Sequence, residues 1–184
     1  TTEEVWYTSV DGQRIQGWIV KPAGFDAKKK YPLMLEIHGG PHSMYNVGFN
    51  FARQDHASNG FVMLYTNPRG STGYGRIFTM LDNGRLREDS VRDIGALLTW
   101  IAAQPDLDQQ RVVVSGGSYG GYMVLASMVA FGDRLRGGGG FHAQHALPIG
   151  GRHVAEACRQ FRAWAPDHGV GKATLTIAKD SPLP

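Results

Sequence analysis

A serine flanked by glycines, set between a valine-rich run and a helical segment, limits the fold of this 184-residue chain more than any other feature. Arg111 to Val114 contains three consecutive valines, which is typical of a buried parallel strand. Gly116 to Gly121 follows, with Ser118 inside it, and Tyr122 to Phe131 has the composition of a helix. Strand, tight turn and helix in direct succession predict an α/β fold.

The pattern Gly-x-Ser-x-Gly over residues 116–120 is that of a nucleophile elbow. Gly116 and Gly120 leave room for the strand and the helix to approach each other. The serine hydroxyl then projects at the start of a helix, where the helix dipole favours developing negative charge. We therefore predict Ser118 as a catalytic nucleophile; the alternative is a glycine-rich turn with an idle serine.

A second glycine-rich stretch, His38 to Pro41, follows the short apolar run Pro32 to Ile37, which predicts a buried strand. In the α/β-hydrolase fold, a loop after an early strand supplies one N–H group of the oxyanion hole. We expect the two donors to be the backbone N–H groups of Tyr119 and Gly40. We expect His38 to orient this loop, because in this fold the catalytic base follows the nucleophile along the chain.

The remaining pattern alternates strands and helices. Asp11 and Gly12 predict a hairpin turn. The other predicted strands are Val5 to Ser9, Arg14 to Val20 and Phe61 to Tyr65, and the other predicted helices are Phe51 to Ser58 and Glu88 to Ala103. In the second of these helices, an apolar face is predicted for Val91, Ile94, Leu98 and Ile101.

Three motifs together resemble the prolyl oligopeptidase family in order and spacing: His38 to His42, Asn67 to Gly75 and Gly116 to Met123. The resemblance covers residues 4–136 and is nearest to the acylaminoacyl-peptidase and dipeptidyl-peptidase branch. It implies an α/β-hydrolase fold and a serine peptidase that cleaves oligopeptides through an acyl-enzyme on Ser118. The loop from Arg69 to Tyr74 is expected either to border the site or to support the fold. The residues expected to shape the site are His38, Gly39, Gly116, Gly120, Arg69 and Tyr74.

The chain departs from the family after Arg136. A catalytic triad needs an acid and a histidine after the serine, and in this family both lie well downstream. The candidates that follow Ser118 lack the family's strand-and-loop context; they are His142, His145, His153, His168, Asp133, Glu156, Asp167 and Asp180. We therefore expect a partial catalytic domain over residues 1–136, truncated after the elbow helix, and little activity in the isolated chain.

Residues 137–184 form an atypical tail in this interpretation, with Val170 to Ile177 as its best strand candidate. One hypothesis is that the tail comes from a shifted reading frame or a faulty gene model, because the family resemblance ends abruptly at its start.

Composition restricts the partners. The net charge is only +3, and the basic residues are scattered along the chain. The one basic run, Lys28 to Lys30, is typical of a solvated turn, so the composition argues against binding of nucleic acid. The single cysteine, Cys158, excludes an internal disulfide and a multi-cysteine metal site. We expect no signal peptide, no membrane span, no metal and no organic cofactor. The expected partner is a peptide substrate, while compartment and oligomeric state stay open.

Three alternatives to a peptidase remain. An esterase or lipase would use the same nucleophile and oxyanion hole, so the elbow does not separate the two. A hydrolase-like domain without catalysis could serve as a binding module. A dinucleotide site is the weakest alternative, because Gly116 to Gly121 does not follow the first strand and lacks the Gly-x-Gly-x-x-Gly spacing.

Overall fold

The structure, a computed structural model, describes residues 2–141 as one mixed sheet with helices packed on both faces. The strands are β1 (Thr2–Thr8), β2 (Arg14–Val20), β3 (Tyr31–Ile37), β4 (Val62–Asn67), β5 (Leu107–Gly117) and β6 (Gly137–Phe141). The helices are α1 (Phe51–Ser58), α2 (Arg76–Met80), α3 (Arg87–Ala102) and α4 (Tyr119–Phe131), with 3₁₀ turns at Gly84–Leu86 and Gly132–Arg134. None of the helices within residues 2–141 is long and apolar enough to cross a membrane.

The sheet has the strand order β1-β2-β4-β3-β5-β6. β1 and β2 pair with antiparallel neighbours, whereas β4, β3, β5 and β6 run parallel to one another. The carboxyl ends of β3, β4 and β5 therefore meet at one edge, which we call the carboxyl edge. The loops that follow Ile37, Asn67 and Gly117 are gathered there, so the three motifs of the sequence lie together.

Two apolar layers enclose the sheet. α3 and α4 cover one face, where Leu33, Leu35 and Ile37 of β3 are fully buried. The predicted apolar face of α3 is confirmed, since its four residues are at most 7% exposed. The opposite face is smaller and packs against α1; its buried residues are Trp18, Val20, Ala57, Met63 and Tyr65.

The predicted hairpin is also confirmed. β1 and β2 pair antiparallel, with Thr8 opposite Arg14. Gly12, at φ +85°, closes the turn and donates its N–H to Ser9 O at 3.0 Å.

Three elements differ from the sequence expectation. α4 begins at Tyr119, three residues before the predicted start, and α2 was not predicted because it is only five residues long. β6 continues the sheet beyond Arg136, where no strand was expected. Its glycines carry no apolar pattern, and the strand is held through backbone pairing with β5. The other predicted features of the tail, residues 142–184, including the Val170 to Ile177 strand, lie outside the described residues.

Candidate active site

Ser118 lies in the turn between β5 and α4 with φ 55° and ψ −119°. It is the one non-glycine residue within residues 2–141 that has a positive φ. This conformation is strained for an L-residue and persists only where the surrounding structure holds it. Because α4 begins at the next residue, the backbone N–H of Tyr119 has no acceptor within the helix and stays available to an anion beside Ser118.

The turn is closed by glycines that permit backbone contact. A Cβ on Gly116 would stand 2.7 Å from the carbonyl oxygens of Gly120 and Ile37. A Cβ on Gly120 would overlap Ile37 O and stand 2.9 Å from His38 O. The elbow therefore packs directly on the end of β3, which brings the loop after β3 to the serine.

That loop borders the nucleophile. A Cβ on Gly39 would stand 3.4 Å from the Ser118 Cβ and 3.1 Å from Gly117 O. Gly40 is exposed and has φ +122°, a conformation that favours glycine. The two N–H groups predicted as oxyanion donors, those of Tyr119 and Gly40, thus belong to segments on either side of the Ser118 side chain.

Both ring nitrogens of His38 are engaged by the protein. Nδ1 lies 2.7 Å from Gly39 O and Nε2 lies 2.8 Å from Ser71 Oγ. Because a carbonyl oxygen can only accept, Nδ1 carries the proton and donates to Gly39. Burial lowers the pKa of His38. The geometry thus leaves no free ring nitrogen for Ser118, in agreement with a loop-orienting role.

The hydrogen bond from His38 acts on the peptide plane that carries a predicted donor. Gly39 C=O and Gly40 N–H belong to one planar trans peptide and point in opposite directions. Holding Gly39 O against the His38 ring therefore sets the direction of the Gly40 N–H. Ser71, which the sequence reasoning did not single out, completes this arrangement from the loop after β4.

Asn67, at the end of β4, braces the far part of the β3 loop. Its side chain accepts from Tyr45 N–H at 2.7 Å and donates to Tyr45 O at 3.1 Å. The Tyr45 ring meets His38 edge-on at 5.2 Å. On its other side, Tyr45 stacks with Arg53, whose guanidinium lies 4.3 Å from the ring centre and pairs with Glu36 at 2.6 Å.

Arg69 is directed into the fold. Its side chain is 3% exposed and forms an ion pair with the buried Asp93 at 2.7 Å and another with Asp11 at 2.7 Å. Burial disfavours the guanidinium charge, but the hydrogen bonds that Arg69 donates to Asp11 and Asp93 outweigh that effect and raise the pKa of Arg69. These contacts favour fold support over direct contact with a substrate.

Tyr74 has a similar environment. Its hydroxyl accepts from Asn67 Nδ2 at 2.7 Å and donates to Gln16 Oε1, and its ring packs 4.9 Å from Phe78. Burial raises the pKa of Tyr74. Tyr74 thus joins the loop after β4 to β2 and, through Asn67, to the brace on Tyr45.

Within the described residues, no base contacts Ser118, the predicted nucleophile. Within residues 2–141 the Ser118 carbonyl accepts from Tyr122 N–H at 3.2 Å, and its hydroxyl has no hydrogen-bond partner. Asp133 precedes β6, which runs parallel to β5, so it lies at the opposite edge of the sheet from Ser118. The other candidate acids and the four histidines after Ser118 lie outside the described residues. In the same part of the chain no group of three metal-binding side chains comes together.

Beneath the elbow lies a buried ion pair that the sequence reasoning missed. Asp82 is fully buried and accepts from Arg87 Nη1 at 2.7 Å. Asp82 lies in an irregular segment between α2 and a 3₁₀ turn, so no periodicity or motif marked it.

The sequence and the fold were compared with those of known proteins. The profile of the prolyl oligopeptidase family matches residues 47–138, which is half of the chain. The uncharacterized peptidase YuxL of Bacillus subtilis is 40% identical over 122 residues, which cover 66% of this chain and 19% of YuxL. Dipeptidyl-peptidase 5 of Schizosaccharomyces pombe is 38% identical over 128 residues, with 66% and 18% covered.

Among solved structures, the acylaminoacyl peptidase of Pyrococcus horikoshii superposes with a TM-score of 0.67 at 30% identity, and the match covers 75% of this chain and 22% of the peptidase. The α/β-hydrolase fold expected from the sequence is thereby confirmed for the part of the chain that is covered. The chain spans about a fifth of the length of the relatives that it matches.

Proposed function

The chain belongs to the prolyl oligopeptidase family, and on that premise we propose that its protein is a serine peptidase with Ser118 as the nucleophile. The observation that carries the proposal is the strained backbone of Ser118 at the start of α4, with the Gly39 loop packed beside it. The related peptidases, whose names describe dipeptidyl-peptidase and acylaminoacyl-peptidase activities, support a peptide as the substrate.

In the proposed reaction, Ser118 Oγ attacks the carbonyl carbon of the scissile peptide bond. A general base takes the hydroxyl proton, and the carbonyl oxygen gains negative charge. The backbone N–H groups of Tyr119 and Gly40 donate to this oxyanion, and His38 keeps the Gly40 N–H directed at it through Gly39 O. The protonated base then gives its proton to the leaving amine as the tetrahedral intermediate collapses to the acyl-enzyme. The same base next takes a proton from water, whose oxygen attacks the ester carbonyl, and returns that proton to Ser118 Oγ as the acid product leaves.

The proposal assigns no base or acid. A serine hydroxyl is a weak nucleophile at neutral pH, and loss of triad function removes on the order of 10⁴–10⁶ in rate. We therefore propose the activity for the full-length protein, and we expect the 184-residue chain by itself to be nearly inactive.

The test uses the full-length protein with peptidyl anilides that have free or acylated N-termini, and with a matched ester. We expect hydrolysis of the anilides, and we expect Ser118→Ala to reduce it by on the order of 10⁴-fold or more. Ser58→Ala is the control, because Ser58 is exposed at the end of α1 and, in the described part of the chain, its hydroxyl bonds only the backbone of Asp55.

Two outcomes would contradict the proposal. Anilide hydrolysis that survives Ser118→Ala would show that another group is the nucleophile. Turnover of the ester without turnover of any anilide would assign the site to an esterase, which uses the same elbow and the same oxyanion donors.

A further inference from the structure

The ion pair of Asp82 and Arg87 has no role in the proposed reaction as described above. Asp82 is 0% exposed and Arg87, the first residue of α3, is 6% exposed. Asp82 Oδ2 accepts from Arg87 Nη1, whereas Asp82 Oδ1 has no hydrogen-bond partner among residues 2–141. Burial raises the pKa of Asp82, and the charge of Arg87 opposes that rise. A fully buried carboxylate with one unpaired oxygen is costly, so its presence calls for a role.

Arg87 links this ion pair to Tyr119, the residue after the proposed nucleophile. Its guanidinium carbon lies 5.0 Å from the centre of the Tyr119 ring. The Tyr119 hydroxyl lies 2.8 Å from Ser90 Oγ, which donates to the carbonyl of Arg87 at 2.7 Å. Since the serine proton is used in that bond, the phenol donates to Ser90. The first turn of α3 therefore holds the Tyr119 side chain at its ring face and at its hydroxyl.

Asp82 also contacts the loop that supports His38. Gly70, at φ +95°, packs on the Asp82 carboxylate so closely that a Cβ there would stand 2.6 Å from Oδ1 and 2.7 Å from Oδ2. The next residue is Ser71, whose hydroxyl contacts His38. The Asp82 carboxylate is thus linked to both predicted donors. It pairs with Arg87, which contacts the Tyr119 ring, and it contacts the loop whose Ser71 bonds His38.

We propose that Asp82 and Arg87 are positioning residues for the oxyanion hole: the pair fixes the Tyr119 side chain, and thereby the Tyr119 N–H, relative to the Gly40 N–H. This inference rests on the proposed function and adds two residues that touch neither substrate nor reacting atoms. Its physical basis is that Ser118, directly before Tyr119, has a strained backbone conformation, which keeps its geometry only if neighbouring groups restrain it. If a donor is misplaced by a fraction of an ångström, its stabilisation of the transition state decreases more than its stabilisation of the bound substrate.

The experiment is Asp82→Asn in the full-length protein. Asparagine has nearly the same shape and can still accept from Arg87, but it removes the negative charge of the carboxylate from the buried pair. We expect kcat for a peptidyl anilide to fall about tenfold while KM stays within about twofold. Affinity for a peptide aldehyde, whose hemiacetal oxygen occupies the oxyanion position, should weaken by about the same factor as kcat.

The control is Asp89→Asn, in the same first turn of α3, because Asp89 pairs with the exposed Arg92 at 3.0 Å and does not contact Tyr119. It should leave kcat, KM and aldehyde affinity unchanged. A merely structural role for Asp82 would lower the amount of folded enzyme, but the folded fraction would keep its aldehyde affinity.

Tyr119→Phe provides the second variant and decides the matter if Asp82→Asn does not fold. It keeps the ring and the backbone N–H but removes the bond to Ser90, so kcat should fall about threefold at unchanged KM. The proposal is overturned if folded Asp82→Asn shows the kcat and aldehyde affinity of the parent enzyme, or if Tyr119→Phe does so when Asp82→Asn does not fold. Activity that persists in Ser118→Ala would instead overturn the proposed function, so the two failures are distinguishable.

Discussion

At the scale of the residue, the elbow depends on glycines, which have no Cβ atom and so let two backbone segments come into contact. Gly120 in α4 lies so close to the end of β3 that a side chain would occupy the position of Ile37 O. The obstacle is backbone, which cannot move away as a flexible side chain can. The positive φ of Ser118 follows from this contact, because the chain must turn sharply to bring the helix onto the strand.

Gly120→Ala should therefore destabilise the chain by about 2 kcal/mol, because the added methyl group forces the elbow away from β3. Chemical unfolding of the 184-residue chain measures this change. Gly137→Ala is the matched control, since a Cβ there would meet no atom of the described residues within 4 Å. Equal stability of the two variants would show that the elbow can relax without cost.

At the scale of the element, Arg69 joins three parts of the chain. It lies after β4, and its partners are Asp11 in the β1–β2 turn, Asp93 in α3 and Ser9 at the end of β1. Its backbone N–H also donates to Asp93 at 2.8 Å. A guanidinium that is held by two carboxylates gives directional contacts that apolar packing does not, so the hairpin is fixed relative to α3.

The free energy of unfolding at acidic pH should depend on the ion pairs of Arg69. The hydrogen bond from Arg69 lowers the pKa of Asp11 to about 2, below its ordinary value of 3.8. A lowered folded-state pKa contributes stability above the unfolded-state pKa, and this contribution is lost as the pH falls. The stability difference between the parent chain and Asp11→Asn should thus be constant above about pH 4 and shrink towards pH 2.

Urea unfolding at a series of pH values measures this difference. The control is Asp55→Asn, which removes an exposed carboxylate on α1. The half-exposed position of Asp11 keeps the expected effect small. A difference that grows as the pH falls would contradict the assignment.

At the scale of the whole molecule, the chain carries the proposed nucleophile and the proposed oxyanion donors on a sheet whose described part ends with β6. The family match ends at residue 138, within that strand. We propose that the tail from about residue 138 onward comes from a shifted reading frame or a faulty gene model. The abrupt end of the match supports this proposal.

Reading the coding DNA from codon 130 in the other two frames tests it. We expect one frame to continue with an apolar strand, followed by an aspartate and then a histidine in the order that the triad requires. If neither frame contains them, the tail is a true translation and the proposal is wrong.

The 184-residue chain provides a second measurement at this scale. Its turnover of a peptidyl anilide should lie on the order of 10⁴-fold or more below that of the full-length protein, because no base reaches Ser118 within residues 2–141. Comparable turnover by the pure chain, abolished by Ser118→Ala, would show that the described domain is catalytically sufficient.

The sequence by itself determined the fold class, the hairpin, the apolar face of α3 and the sharp turn at Ser118. These features depend on local requirements that leave a readable pattern, such as side-chain periodicity in α3 and glycines where backbones touch. The turn at Ser118 is an example, since its glycines mark the close approach to β3 before any strand order is known.

Only the tertiary structure decided which side chains meet across loops. The contact of His38 with Ser71 joins residues 33 apart in the chain, and the pair of Asp82 with Arg87 meets the Tyr119 ring from a different part of the chain. Such contacts depend on which strand ends share the carboxyl edge, and no residue pattern encodes that order. β6 was missed for a related reason: its glycines are held by backbone hydrogen bonds to β5, and these bonds require a partner strand rather than a particular side chain.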